Sequence, residues 1–201
     1  MANADTLITG ATGFIGGRLL DALAGEREVR ALVRDASKLD DERADVAEGD
    51  LTDRDAVRRA LEGVEVAYYL VHSMEPGDDD FASKDREMAE AFVAAAEAEG
   101  VQRLVYLGGV EPDGRTSAHL QSRLDVEKVL GSGEPELVAL RASMVVGAES
   151  DSFRTLAQIV GRIPVLALPP WRDNRTQPVA VADVIGALRA ARDVEPGVYD
   201  V

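Results

Sequence analysis

Apolar positions along this chain fall into two kinds of run that take turns. Short, mostly apolar runs at Leu7 and Ile8, Val29–Val33, 64–71, 104–107 and 137–140, interrupted by Arg30 and Glu65, read as strands, with a shorter one at 45–47; the run over 64–71 shows no two-residue alternation, as a strand covered on both faces does. Between them come stretches with helical spacing. One opens after Gly13 and closes near Gly25, and a second carries Val57, Ala60 and Leu61 behind a cap at Thr52 or Asp53. A third follows a cap at Asp80, presents Met88, Phe92, Ala95 and Ala96, and ends at Gly100; a fourth runs over 117–130 and ends at Gly131. Further on, the pattern predicts a helix over 153–160, a proline-bounded apolar segment over 164–170, a polar loop over 171–177, a helix opened by Asp183 and a last strand over 198–201. Strands that alternate with helices in this way predict an α/β fold, a doubly wound parallel sheet, with all 201 residues in one domain.

The turn after the first strand carries the clearest chemistry. Gly10, Gly13 and Gly16 stand at three-residue intervals between a strand and a helix. Gly10 makes the tight turn, Gly13 lets backbone approach a diphosphate, and Gly16 lets the helix lie close on the strand. The helix start around Thr12, Phe14 and Ile15 aims unpaired N–H groups and a positive dipole end at the phosphates. This is the signature of a Rossmann-like dinucleotide cradle. Arg34 ends the second strand, 18 residues beyond Gly16 and close to the spacing of roughly 20 at which the adenosine ribose is met. An arginine there suits a 2′-phosphate, so NADP is expected over NAD. Asp50 is expected beside the adenine with Leu51 packed on the ring, although a turn aspartate fits the same spacing. His72 follows the fourth strand at the edge where open parallel sheets bind ligands.

Charge narrows the partners. Thirty-seven acidic residues against 22 basic ones give a formal net charge of −15, and only Lys38, Lys84 and Lys128 are lysine. Nucleic acid and anionic membrane surfaces would be repelled. Such acidity is tolerated where concentrated salt screens it, so a halophilic setting is expected. No cysteine occurs, which removes thiolate metal sites, and no His, Asp and Glu set has metal-ligand spacing. No apolar run approaches the roughly 18 residues of a membrane span, so a cytoplasmic location is the default expectation.

Thr9 to Gly16, Arg34 and Gly49-Asp50-Leu51 resemble the extended and atypical short-chain dehydrogenase/reductases over nearly the whole chain. Tyr69 to Met74, Tyr106 to Val110, His119 to Arg123, Leu140 to Ala142 and Arg175 to Pro178 resemble the NmrA-like branch, which includes relatives of the accessory 39-kDa NADH dehydrogenase subunit. The resemblance implies an NAD(P)-binding fold and a C-terminal continuation beyond the point where this chain stops. It also implies hydride chemistry assisted by a tyrosine, a lysine four residues on and a serine after the fifth strand. Here the matching positions are His119, Arg123 and the Gly108-Gly109 pair.

His119 and Arg123, at i and i+4, share a helix face and are the candidate catalytic pair. Histidine exchanges protons near neutrality, while the neighbouring arginine favours its neutral form or holds ribose hydroxyls, a diphosphate or an acidic substrate. Arg141, Ser143 and Met144 match positions at the nicotinamide end, and Trp171, Arg172 and Arg175 form a loop able to close over a substrate. Three functions follow: an NADPH-dependent oxidoreductase acting on a small carbonyl, quinone or isoprenoid-like compound; a non-catalytic NADP(H) sensor or accessory subunit; and, ranked last, a nucleotide-sugar epimerase or dehydratase. Helix-on-helix homo-oligomers are common in such families, and nothing in the sequence specifies one.

Overall fold

The computed structural model describes residues 4–39, 42–72, 80–112, 114, 116–147, 150, 154, 158 and 177–201. Seven strands form one parallel sheet: β1 Thr6–Thr9, β2 Val29–Val33, β3 Asp45–Glu48, β4 Val66–Tyr69, β5 Arg103–Gly109, β6 Glu136–Ala142 and β9 Gly197–Asp200, in the order β3-β2-β1-β4-β5-β6-β9. Helices α1 Phe14–Leu23, α2 Arg54–Leu61, α3 Phe81–Ala98, α4 Ala118–Leu130 and α5 Val181–Ala190 cover the two faces. A two-stranded parallel sheet, β7 Met144–Val146 with β8 Pro178–Ala180, stands apart. This is the doubly wound, Rossmann-like single domain that the alternating pattern predicts.

Neighbouring strand residues point to opposite faces, and each face has its own core. Leu7, Leu32, Tyr69, Leu104 and Tyr106 pack with α2, α3 and α4 through Leu61, Phe92, Ala96, Val126 and Leu130. Ile8, Ala31, Val33, Tyr68 and Val105 pack with α1 and α5 through Leu19, Leu20, Leu23, Val184 and Leu188. Tyr69 meets Phe92 edge-on at 5.1 Å between ring centres, a favourable aromatic arrangement. Buried phenols are satisfied across the layers: Tyr68 Oη donates to the Leu188 carbonyl and Tyr106 Oη to the Arg123 carbonyl. Buried Arg30 joins β2, β3 and α2 by donating to Asp45 and to the carbonyls of Ala60 and Glu62.

Several boundaries differ from the sequence expectation. β4 stops at Tyr69, short of the apolar run, so Leu70 and Val71 leave the sheet and line a cavity. β5 runs through Gly108 and Gly109, which pair with Arg141 and Ala142, so neither dipeptide begins a loop. Asp53 caps α2 by accepting from the N–H groups of Asp55 and Ala56, and Ser117 caps α4, whereas the Asp80 side chain makes no capping hydrogen bond to the start of α3. The last helix starts at Val181, with Asp183 inside its first turn. The expected loop at 75–80 lies outside the described residues but for Asp80, as do the helix over 153–160 apart from Arg154 and Gln158, the segment over 164–170, and the loop over 171–177 apart from Gln177.

Candidate functional site

A cavity of about 440 Å³ opens at the carboxyl ends of β1, β2, β3 and β4. Its wall brings together Gly10, Thr12, Gly13, Arg34, Asp50, Leu51 and His72, all expected from the sequence, with Thr9, Thr52, Lys84 and Met88, which were not. Gly10 has φ +72°, in the left-handed region that a side chain resists, and closes its turn by accepting from the Gly13 N–H. A Cβ on Gly16 would stand 2.1 Å from the Gly10 carbonyl oxygen, so glycine there is a packing requirement. Helix α1 has no side-chain cap and no acidic residue in its first turn. Its first free N–H groups therefore stay available to an anion beside the cavity.

Three expected cofactor residues do not line the cavity. Gly16 is buried beneath the turn. The Phe14 ring lies under the Arg18 guanidinium at 4.2 Å, and a Cβ on Gly147 would come within 2.9 Å of it. Ile15 packs into the α1 side of the core.

Arg34 is exposed at the end of β2, and its guanidinium has no hydrogen-bond or ion-pair partner among the described residues. Its charge helps to hold the Asp50 carboxyl below the usual carboxylate range. The main cause is the Thr52 N–H bond at 2.9 Å, followed by the Thr52 hydroxyl at 2.7 Å. Both bonds fall on Oδ1, so Asp50 is a turn aspartate with its other oxygen uncommitted. Gly49 seats this turn against α2, where a Cβ would meet Ala56 Cβ at 2.6 Å.

Thr9 opens the motif that carries the resemblance but was not expected in the cavity wall. Its buried hydroxyl donates to the Tyr68 carbonyl and accepts from the Leu70 N–H, which holds the β4 exit that carries His72. Besides that motif, its sequence signal is a polar residue ending an apolar strand. Lys84 and Met88 come from α3, 50 residues or more past Arg34, where no motif marks them.

The proposed catalytic pair sits elsewhere. His119 is exposed and stacks on Phe81 with ring centres 4.5 Å apart, and neither it nor Arg123 lines the cavity. Arg123 reaches the Leu107 carbonyl at 3.4 Å, and its buried Nε has no hydrogen-bond partner among the described residues. The two are coupled to the cavity through His72, whose pKa is pushed down to about 4 by burial first and then by the Arg123 charge, with a smaller push from His119 and an opposing pull from Asp85. Asp85 is 3% exposed and accepts from Ser122 at 3.0 Å.

The serine position of the short-chain pattern is crowded by side chains. A Cβ on Gly109 would meet Leu120 at 2.6 Å, and one on Gly108 would meet Tyr106 at 2.9 Å. Arg141 is held bidentately by Glu127 at 2.7 and 3.0 Å and by Glu111 at 3.1 Å, which makes it an anchor between β6 and α4. Among the described residues, no group of three or more His, Asp and Glu stands close enough to hold a metal, and no helix is long and apolar enough to cross a membrane.

The family described as NAD(P)H-binding matches residues 10–131. Among curated relatives, sterol demethylase protein B of Methylococcus capsulatus is 36% identical over 126 residues, 57% of this chain and 38% of that protein. A 3-diazoavenalumate denitrifying reductase of a Streptomyces species is 30% identical over 94% of this chain and 72% of its own length. The chain thus spans less than half of the first relative and nearly three quarters of the second. A solved nucleoside-diphosphate-sugar epimerase from Staphylococcus aureus superposes with a TM-score of 0.83 over 98% of this chain and 70% of its own, at 16% identity, a likeness of fold alone.

Proposed function

The chain belongs to the NAD(P)H-binding family, and on that premise we propose that it is an NADPH-dependent reductase of the atypical short-chain type, acting on a small carbonyl or quinone. The observation that carries this reading is the unpartnered Arg34 guanidinium in the wall of a cavity that also presents the glycine turn and an uncapped helix start. A guanidinium at a strand end without a hydrogen-bond partner is available to a 2′-phosphate, where a charge-assisted bond would form. Gly10, Thr12 and Gly13, with the backbone N–H groups of Phe14, Ile15 and Gly16, would hold the diphosphate. Asp50 and Leu51 would take the adenine, and His72 would stand towards the nicotinamide.

When bound, the dinucleotide supplies the hydride. The acceptor oxygen then needs a proton. His72 is neutral above about pH 4 and so serves as a hydrogen-bond partner there, not as an acid. His119, exposed at the start of α4, is the histidine left to deliver the proton, with Arg123 one turn on to steady negative charge. The reductase names of relatives support this reading without giving a substrate.

A second reading, a non-catalytic NADP(H) sensor or accessory subunit, is favoured by the stacking of His119 on Phe81, away from the cavity wall. NADPH oxidation with quinones and aldehydes, for the unmodified protein and His119→Ala, separates the two. Turnover that falls roughly a hundredfold in His119→Ala with NADPH affinity kept supports the reductase and the proton role. Tight NADPH binding with no turnover on any acceptor supports the sensor.

A further inference from the structure

Helices α3 and α4 share an apolar core, to which Phe92 and Ala96 of one and Val126 and Leu130 of the other contribute. At the start of both helices the contact changes character. Among the residues of α3, Asp85 is the one charged side chain that is buried; it is 3% exposed and accepts from the Ser122 hydroxyl at 3.0 Å. Its charge reaches the end of β4, where the Tyr69 phenol is pushed up by burial first and by Asp85 next. One turn before Asp85, Phe81 stacks on His119 with ring centres 4.5 Å apart. Two contacts, one turn apart on each helix, thus join α3 to the part of α4 that carries His119, Ser122 and Arg123.

Burying a carboxylate is costly, and apolar pairs of similar volume are often as stable or more so. A hydrogen bond differs from an apolar contact in being satisfied by a narrow range of alignments, so it fixes how two helices stand against each other. We propose that Asp85 is a positioning residue, which through Ser122 fixes the first turns of α4 and so holds His119 and Arg123 where the reductase reading needs them. The inference rests on that reading and adds to it a residue from outside the cavity wall.

Imidazole NMR of the full chain, read beside NADPH turnover on quinones and aldehydes, tests it. His72 and His119 are the only histidines, and the His119 signal carries the ring-current displacement of Phe81. Asp85→Ala and Ser122→Ala should each return that signal towards a free histidine's and lower turnover roughly tenfold or more, with NADPH affinity within about twofold. Asp85→Asn keeps an acceptor for the Ser122 hydroxyl while removing the charge, and should restore most of both. A merely structural role would lower the melting temperature of Asp85→Ala and leave the His119 signal and turnover in place, which overturns the proposal. An Asp85→Asn variant as impaired as Asp85→Ala overturns it too, since the charge and not the bond would then matter. Should Asp85→Ala fail to fold, Ser122→Ala decides, and an unmoved His119 signal there counts against the proposal. An unmodified protein that binds NADPH without any turnover removes the reductase reading, a separate result, while the His119 signal still shows whether Asp85 places the imidazole.

Discussion

The rim made by β1, β2 and β3 and the rim made by β5 and β6 are built from the same parts, a strand end followed by a helix start, yet they use charge in opposite ways. At the first rim Arg34 is unpartnered and Asp50 has an oxygen to spare. At the second, Arg141 is bound by Glu127 and Glu111, Tyr106 is bound to the α4 backbone, and His119 lies flat on Phe81. The first rim leaves polar groups uncommitted among the described residues, and the second commits its own to holding α3, α4 and β6 together. On the proposed reading affinity and chemistry are separable: dinucleotide binding would rest on the first rim, and hydride transfer on His72, His119 and Arg123 beside the second.

The comparison breaks first at Gly16. Alanine there meets backbone, which cannot step aside as a side chain can, so Gly16→Ala should cost about 3 kcal/mol or more and abolish ADP-ribose binding. A urea melt and a titration of the same variant check both. Glu127→Gln probes the second rim. Glu127 is 7% exposed, and its loss leaves the partly buried Arg141 without its bidentate partner, which should lower stability by about 2–3 kcal/mol. ADP-ribose affinity should stay within about twofold. A Glu127→Gln variant that lost affinity as strongly as stability would show that the two rims are not separable.

His72 lies between the rims and should show itself through pH. Its folded pKa of about 4 is below the ordinary 6.5, so the unfolded chain binds more protons between those values. The contribution of neutral His72 to stability is whole above about pH 6.5 and is lost as pH falls towards 4, with a slope of at most about 1.4 kcal/mol per pH unit. His72→Gln should flatten the melts over this window relative to the unmodified protein. Equal slopes would mean that the imidazole is hydrated in the folded state.

The sheet, its order of secondary structure and the glycine turn were legible because they are local or periodic. Strand burial on both faces shows as mostly apolar runs, and the turn shows as Gly10, Gly13 and Gly16. Strand lengths were less so. Hydrophobicity continues past Tyr69 because Leu70 and Val71 face a cavity instead of a sheet neighbour, and β5 runs on through Gly108 and Gly109 because parallel pairing with β6 does not need side chains. Lys84 and Met88 reach the site only through the packing of α3, which no short motif records. His119 and Arg123 were found by their one-turn spacing, but that spacing says nothing of Phe81, which comes from another helix and takes the imidazole face.

Arg34→Ala should be the mildest change to the fold, within about 0.5 kcal/mol, because the side chain is exposed and has no partner to lose. Its effect on ligand choice tests the central claim most directly. Titrated with NADPH and NADH, the unmodified protein should bind NADPH more tightly by roughly tenfold or more, and Arg34→Ala should bring the two affinities together by weakening NADPH alone. Equal or tighter NADH binding by the unmodified protein would contradict the claim that the first rim holds its free cation for a 2′-phosphate.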